Sequence, residues 1–184
     1  MRVMVVFESM FGNTRIIAES VAEGLGPEAD VTVVPVTEAG QQWPDQFDLV
    51  VVGGPTHVRG MSRPRTRRGA PSYVTKSTGL LALEQGYDGP GVRGWLNALA
   101  VVHTHGAAFD TRMKGPALGT GRASRGIARQ LRRHGFDLVV GPESFLVDRK
   151  HRLLAGERER ARTWGAVLAK QLGRLDVTAT HQSL

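Results

Sequence analysis

The stretch that decides the fold is residues 3–25, VMVVFESMFGNTRIIAESVAEGL. It opens with a short apolar run rich in β-branched residues, which predicts a strand over Val3–Phe7. A polar turn with one glycine follows, and apolar side chains then recur about every fourth position, which predicts a helix over Asn13–Leu25. Gly26-Pro27 ends this helix. The segment is therefore a strand, a turn and a helix in direct succession.

The rest of the chain repeats this alternation. Further strands are predicted at Val31–Val36, Leu49–Val52, Ala107–Phe109 and Phe136–Val140, with Phe145–Val147 extending the same layer. Further helices are predicted around Thr75–Leu83 and at Arg93–Leu99, Ser124–His134 and Glu157–Leu172. Loops are predicted over Arg59–Arg68, which holds five arginines and a proline, and over the Gly- and Pro-rich Gly86–Gly94. Strands and helices in alternation predict an α/β fold, a doubly wound five-stranded parallel sheet with helices on both faces.

The length and composition fit one soluble domain. The chain has 184 residues, of which we assign 1–175 to the sheet domain and 176–184 to a polar C-terminal tail. No apolar run approaches the roughly 20 residues of a membrane helix, and the first residues lack a cleavage site, so we expect a cytoplasmic protein. The absence of cysteine excludes a disulfide scaffold, a thiolate metal site and a cysteine nucleophile.

The charge balance is strongly basic. The formal net charge is +7, and 20 of the 24 basic residues are arginine. Arginines cluster between Arg59 and Arg68 and again between Arg125 and Arg133. Such an excess attracts nucleic acid, membranes, phosphorylated ligands or acidic proteins, and charge alone does not choose among them.

Ligands of doubly wound sheets bind beyond the carboxyl ends of the strands, where the strand order reverses. The turns to inspect therefore follow Phe7, Val52 and Phe109. The first turn offers backbone N–H groups at a helix N-terminus together with small polar side chains, which suits an anion but is also typical of an ordinary helix cap. It has neither the lysine of a P-loop nor the three glycines of a dinucleotide fingerprint. Gly53-Gly54-Pro55 stands where a phospho-receiver domain has an aspartate.

The first turn resembles a known phosphate loop. Val5–Leu25 is similar to the flavodoxin signature, a strand followed by Ser/Thr-x-Thr-Gly-x-Thr and a helix, which binds the phosphate of FMN in that family. Phe11 departs from the signature, and Ser-Met-aromatic-Gly is instead similar to the loop of FMN-dependent NAD(P)H:quinone oxidoreductases. The resemblance implies a flavodoxin-like fold and FMN as cofactor. It implies phosphate binding by Ser9, Met10, Phe11, Gly12, Asn13 and Thr14.

The same resemblance implies that two later turns contact the flavin ring. The residues concerned are Pro55, Thr56, His57, Val58, Arg59 and Gly60 after the third strand, and Phe109, Asp110, Thr111 and Arg112 after the fourth. Asp110 is expected either to pair with Arg112 or to leave flavin bonding to its neighbours. His57 and Arg59 are expected near the N1–C2 region of the ring, where a cation would raise the reduction potential. No metal site is predicted, because His103 and His105 lack a third ligand.

Flavodoxins that transfer electrons commonly place the flavin ring between aromatic side chains. Residues 55–62 contain no aromatic residue, and the nearest in sequence are Trp43, Phe47 and Tyr73. Two hypotheses follow: FMN binds less tightly, or one face of the ring is open to a second substrate.

The function predicted first is that of an FMN-binding electron-transfer protein. The alternative is an FMN-dependent NAD(P)H:quinone oxidoreductase, and a third hypothesis is a basic, non-enzymatic module that binds nucleic acid or protein. The basic cluster formed by Arg59, Arg63, Arg65, Arg67 and Arg68 is expected to rim the site. There it would dock an acidic redox protein or hold the 2′-phosphate of NADPH.

Overall fold

The computed structural model describes residues 1–40, 44–77 and 81–181. Seven strands in these ranges form one sheet with the order β2-β1-β3-β5-β6, and β4 and β7 join it beside β3 and β5. The strands are β1 (Arg2–Phe7), β2 (Asp30–Pro35), β3 (Leu49–His57), β4 (Gly60–Met61), β5 (His105–Met113), β6 (Asp137–Leu138) and β7 (Glu143–Val147). All pairings are parallel except that of β3 with β4, a short hairpin.

Helices cover both faces of the sheet. They are α1 (Asn13–Leu25), α2 (Pro64–Arg67), α3 (Ala70–Lys76), α4 (Val92–Ala98), α5 (Ala117–Thr120), α6 (Ala123–Arg133) and α7 (Glu157–His181), with a 3-10 turn at Pro44–Gln46. Met4 and Val6 of β1 pack under α4 and α6, whereas Val3 and Val5 pack under α1 and α7. Neighbouring residues of one strand thus enter two separate cores, which confirms the predicted doubly wound architecture. None of the helices in the described ranges is both long and apolar enough to cross a bilayer.

The fifth strand of the predicted sheet is divided. β6 pairs with the start of β5 at His105 and Gly106, and β7 pairs with its end from Phe109 to Met113. Gly141 and Pro142 lie between the two segments, and proline has no N–H group for a ladder hydrogen bond. The division keeps Val147 at the same edge of the sheet as the ends of β1, β3 and β5.

Two predictions about the middle of the chain are wrong. Arg59–Arg68 is not a loop, because it contains β4 and the short helix α2. Pro64 lies at the first helical position, and Thr66 Oγ1 accepts a hydrogen bond from the N–H of Arg63 at the N-terminus of the helix. The helix around Thr75–Leu83 is displaced: α3 ends at Lys76 and residues 81–84 are not helical, while residues 78–80 lie outside the described part. The proline and arginine residues of this region made the two helices difficult to recognise from the sequence.

The last helix is longer than the sequence pattern indicated. α7 starts at Glu157 as predicted but continues to His181, into the segment assigned to a tail, whose last three residues lie outside the described ranges. It packs along α1 through glycines: a Cβ atom at Gly165 would overlap the carbonyl oxygen of Val21, and one at Gly24 would overlap that of Arg162. The two helix backbones are therefore in direct contact.

Candidate cofactor site

A cavity of about 220 Å³ opens beyond the carboxyl ends of β1, β3 and β5. The strand order reverses between β1 and β3, so this is the edge where doubly wound sheets bind ligands. Eleven of the residues that the sequence assigned to the site line the cavity: Ser9, Met10, Phe11, Asn13, Thr14, Pro55, Thr56, His57, Val58, Thr111 and Arg112. Four further residues line it: Tyr73, Met113, Val147 and His151.

The first turn presents backbone donors to the cavity. Gly12 precedes α1 with φ 84°, a left-handed conformation that glycine adopts without steric cost, and its N–H donates to Ser9 Oγ at 3.1 Å. The first hydrogen bond within the helix joins the N–H of Ile16 to the carbonyl of Gly12. The N–H groups of residues 13–15 therefore have no carbonyl partner in their own helix. They lie at the positive end of the helix dipole, an arrangement that binds anions.

Two side chains of this turn hold its position. Thr14 Oγ1 lies 2.8 Å from Thr111 Oγ1 on β5, and Asn13 Nδ2 donates to the carbonyl oxygen of His151 at 2.6 Å. These contacts join the start of α1 to the ends of β5 and of the turn after β7. The turn is thus fixed before any ligand enters, which lowers the entropy cost of binding.

The charge of a carboxylate close to the first turn is balanced by an arginine. A Cβ atom on Gly12 would lie 3.2 Å from Glu84 Oε1, so this acid stands directly beside the anion-binding amides. Arg15 Nε lies 3.0 Å from Glu84 Oε2, and the hydrogen bonds that Arg15 donates to Glu84 and Glu19 raise its pKa. The arginine therefore offsets the repulsion that Glu84 would exert on a bound anion.

Aromatic rings close the outer side of the cavity. The ring centroids of Phe11 and Tyr73 lie 6.4 Å apart, and those of both residues lie close to His151, at 5.3 and 5.2 Å. Tyr73 remains 49% exposed. The aromatic surface missing from residues 55–62 is thus supplied by distant parts of the chain.

His57 brings a neutral imidazole to the cavity wall. Burial lowers its pKa, and repulsion by Arg67, and by His151 when that ring is protonated, lowers it further. Burial also lowers the pKa of His151. Both rings are therefore uncharged at neutral pH, because their pKa values lie below the ordinary value of 6.5.

The hairpin turn between β3 and β4 carries backbone strain. Val58 and Arg59 have φ values of 46° and 69°, the left-handed region that two-residue hairpins usually fill with asparagine and glycine. A β-branched residue in this region is an outlier. Val58 is also 85% exposed at the rim of the cavity. Strain of this kind persists where the surrounding structure enforces it, and it clusters at ligand sites.

Comparisons with known proteins identify the fold. No protein-family model matches the sequence, and a comparison with curated proteins finds no match either. Among solved structures, a flavodoxin from the domain Archaea covers 94% of this chain and 99% of its own, at 18% identity and a TM-score of 0.62. Flavodoxin 1 from Bacillus cereus covers 95% and 98%, at 14% identity and a TM-score of 0.62. The chain has the flavodoxin fold.

A third solved structure has the same fold. The WrbA-like protein from Agrobacterium tumefaciens covers 94% of this chain and 98% of its own, at 21% identity and a TM-score of 0.54. At these identities the likeness establishes the fold, and the chemistry of the site has to be argued from its own residues.

Not every residue that the flavodoxin resemblance suggested lies in the cavity. Arg59 and Gly60 line a separate groove on the far side of the hairpin. Phe109 is fully buried and packs edge-to-face against Phe145 and Trp164 beneath the sheet. Gly12 shapes the first turn from behind.

Asp110 is buried beneath the cavity and does not line it. Its Oδ2 accepts hydrogen bonds from the N–H of Ser124 at 2.8 Å and from Thr56 Oγ1 at 3.1 Å, so it caps α6. The Asp110–Arg112 pair does not form within the described residues: Arg112 Nη1 donates to the Gly115 carbonyl and to Thr120 Oγ1, each at 2.9 Å. Both side chains brace the loops that frame the cavity.

The Asp110→Asn variant should reveal the cost of this burial. Burial raises the pKa of Asp110 above its ordinary value of 3.8, which outweighs the hydrogen bonds that lower it. The folded protein thus retains a proton that the unfolded chain has lost, and ionisation removes stability as pH rises through the raised pKa. We expect the free energy of unfolding of the wild type, measured with denaturant, to fall relative to that of the Asn variant as the pH rises from about 4 to about 7. A constant difference between the two proteins would contradict this.

The basic cluster does not form one rim. Arg67 is 4% exposed and donates to Ser62 Oγ and to the carbonyl of Gly89, which places it inside the fold. Arg59 faces the separate groove, and Arg63, Arg65 and Arg68 are exposed. The expectation of five arginines around one opening is therefore wrong, because α2 turns successive side chains to different sides.

Sequence reasoning missed two important residues of the wall. His151 follows β7, and the rule that ligands bind beyond strand ends would have found it if it had been applied to the strand ending at Val147. Tyr73 was noted as one of the nearest aromatic residues in sequence but was not assigned to the site, because the sequence pattern did not reveal α3, which carries it.

Proposed function

We propose that this cavity binds FMN and that the protein is a flavodoxin-like electron-transfer protein. The observation that carries the proposal is the set of unpaired helix amides at residues 13–15 beside Ser9, located at the reversal of strand order. No lysine or arginine precedes the glycine of this turn, so its backbone amides and the helix dipole would hold the phosphate. The cavity also suits the flavin ring of FMN, because Tyr73 and Phe11 provide aromatic surface and Pro55–Val58 provides backbone polar groups.

FMN supplies the redox chemistry, and the protein holds and tunes it. Residues 9–14 would bind the phosphate, and Pro55–Val58 and Thr111–Arg112 would frame the ring. His57 would present an uncharged imidazole to the ring at neutral pH. The exposed Val58 and Tyr73 leave an edge of the site open to solvent. Single electrons would pass to a redox partner protein through such an edge.

A quinone reductase is the second candidate. Phe11 replaces the hydroxyl residue of the flavodoxin signature and forms part of the cavity wall, which supports the similarity to FMN-dependent NAD(P)H:quinone oxidoreductases. This candidate would take hydride from NAD(P)H and reduce a quinone. The electron carrier is favoured by the hairpin, whose exposed tip suits contact with another protein.

The proposal is tested by the visible absorption of the purified protein and by titrating FMN into the apoprotein. We expect flavin bands that shift on binding, with one FMN per chain. A protein that leaves the FMN spectrum unchanged would overturn the proposal. Adding NAD(P)H and a quinone to the loaded protein then separates the two candidates, since only the reductase turns over both.

Tyr73→Leu should weaken flavin binding through the ring. Loss of one aromatic contact is worth ~0.5–1.5 kcal/mol, so we expect the dissociation constants of FMN and of riboflavin to rise together, by about three- to tenfold. Fluorescence quenching on titration measures both. A variant that binds either flavin as tightly as wild type does would show that Tyr73 does not contact the ring. Tyr87, also an aromatic residue of the described chain but outside this cavity, provides a matched Tyr→Leu control.

A further inference from the structure

A second concavity of about 760 Å³ lies between the β3–β4 hairpin, α4 and α6. Its lining includes six arginines: Arg59, Arg93, Arg122, Arg125, Arg129 and Arg133. We call it the arginine groove. No acidic and no aromatic residue of the described chain lines it. A shallower hollow beside Arg132 continues it along α6.

The groove arginines have no carboxylate partner among the described residues. Arg15, Arg152, Arg160 and Arg162 each pair with a carboxylate. Within residues 1–40, 44–77 and 81–181, no groove arginine forms an ion pair, and Arg93 donates only to the backbone carbonyls of Met61 and Ser62. Uncompensated like charges in one groove repel one another, so an anionic partner would stabilise this surface.

The size and chemistry of the groove favour a protein over a nucleotide. From Arg122 to Arg133 the helical surface extends roughly 16 Å, and its arginines carry more charge than a small phosphate ester neutralises. The lining has no aromatic side chain on which a base would stack, which argues against nucleotides and nucleic acid alike. Arginine is enriched at protein interfaces, and two strongly exposed apolar side chains, Leu118 in the groove (93%) and Val58 in the adjoining hairpin (85%), are available to an apolar partner surface.

The hairpin joins the arginine groove to the cofactor cavity. His57 and Val58 line the cavity, while the next two residues, Arg59 and Gly60, line the groove. Arg59 also forms an isolated β-bridge with Gly121, whose backbone leaves no room for a Cβ atom. A partner seated in the groove would therefore touch the turn that borders the open edge of the cavity.

We infer that the arginine groove docks the acidic face of a one-electron redox protein, beside the site from which electrons leave. The inference rests on the proposed function, because it assigns the partner of that site. Aspartate and glutamate side chains of the partner would pair with the planar guanidinium groups, and Leu118 and Val58 would meet apolar side chains. Complexes of this kind are small and weak, and their association depends steeply on salt.

The test compares two double variants that remove the same charge. Arg125→Gln/Arg129→Gln changes the groove, and Arg158→Gln/Lys170→Gln changes exposed residues of α7 on the opposite face of the sheet. The probe is an acidic b-type cytochrome, titrated against apoprotein and FMN-loaded protein by calorimetry at low and at physiological ionic strength. A basic c-type cytochrome and a DNA duplex serve as comparison ligands.

We expect the groove variant to weaken cytochrome binding at least about tenfold and to flatten its salt dependence, while the α7 variant changes binding less than about twofold. Equal weakening by both variants would assign the attraction to net charge and overturn the inference. Preference for the basic cytochrome or for DNA, or absence of binding to the acidic probe, would overturn it as well. FMN titration of the same samples is read separately, so failure of cofactor binding is distinguished from failure of docking.

Discussion

Replacing Ser9 with aspartate should abolish FMN binding while leaving riboflavin binding nearly intact. Ser9 Oγ accepts the N–H of Gly12 at 3.1 Å, and an aspartate oxygen can accept the same bond. The added negative charge would then lie beside the phosphate. Two like charges about 4 Å apart repel by about 4 kcal/mol at the effective dielectric of a protein surface, which corresponds to a loss of affinity approaching a thousandfold.

The matched control is Ser9→Asn, which retains an acceptor without adding charge. Fluorescence titration of each variant with FMN and with riboflavin gives the comparison, and thermal unfolding verifies that the variants fold. We expect the aspartate to act on FMN alone and the asparagine to affect both ligands little. Equal loss of FMN and riboflavin in Ser9→Asp would mean that the first turn does not hold the phosphate.

Gly165→Ala should destabilise the fold more than any other single methyl group added to α7. The new Cβ atom would overlap the carbonyl oxygen of Val21, so α1 and α7 would have to separate. Overpacking of this kind costs about 1–3 kcal/mol, and it exceeds the gain in helix propensity that alanine brings. Denaturant unfolding monitored by circular dichroism measures the loss.

Gly173→Ala provides a control within the same helix. A Cβ atom at Gly173 meets nothing within 4 Å, so only the change in helix propensity acts, and we expect stabilisation of up to about 1 kcal/mol. Two identical substitutions eight positions apart in one helix thus have opposite signs. If both variants were stabilised, the close contact between α1 and α7 would not exist in solution.

The sheet could be predicted because its determinants are local. Unbroken apolar runs such as Leu49–Val52 mark strands buried on both faces, and the four-residue spacing in Asn13–Leu25 marks a helix whose observed bounds are the same. The doubly wound parallel sheet followed from the alternation of strands and helices. The first turn was recognisable because its glycine, hydroxyl and amide residues lie next to one another in sequence.

The outer wall of the cavity could not be predicted in the same way. Tyr73 and His151 meet Phe11 although they follow it by 62 and 140 residues in the sequence. Phe109 and Asp110 follow the correct strand, yet β5 continues to Met113, so they lie below its end and are buried. Because the predicted end of this strand was a few residues too early, core residues were assigned to the site.

The hydrogen bond from Asn13 to the carbonyl of His151 bears on how a ligand enters and leaves the cavity. The cavity is lined by the turn after β1, by β3 and its hairpin, by the end of β5 and by Tyr73, and the turn after β7 is held beside them by this bond and by ring contacts. His151 itself has a φ of 57°, so releasing the turn also relieves local strain. If the cavity binds FMN as proposed, we expect the cofactor to enter and leave through a local opening of this turn rather than by unfolding of the domain.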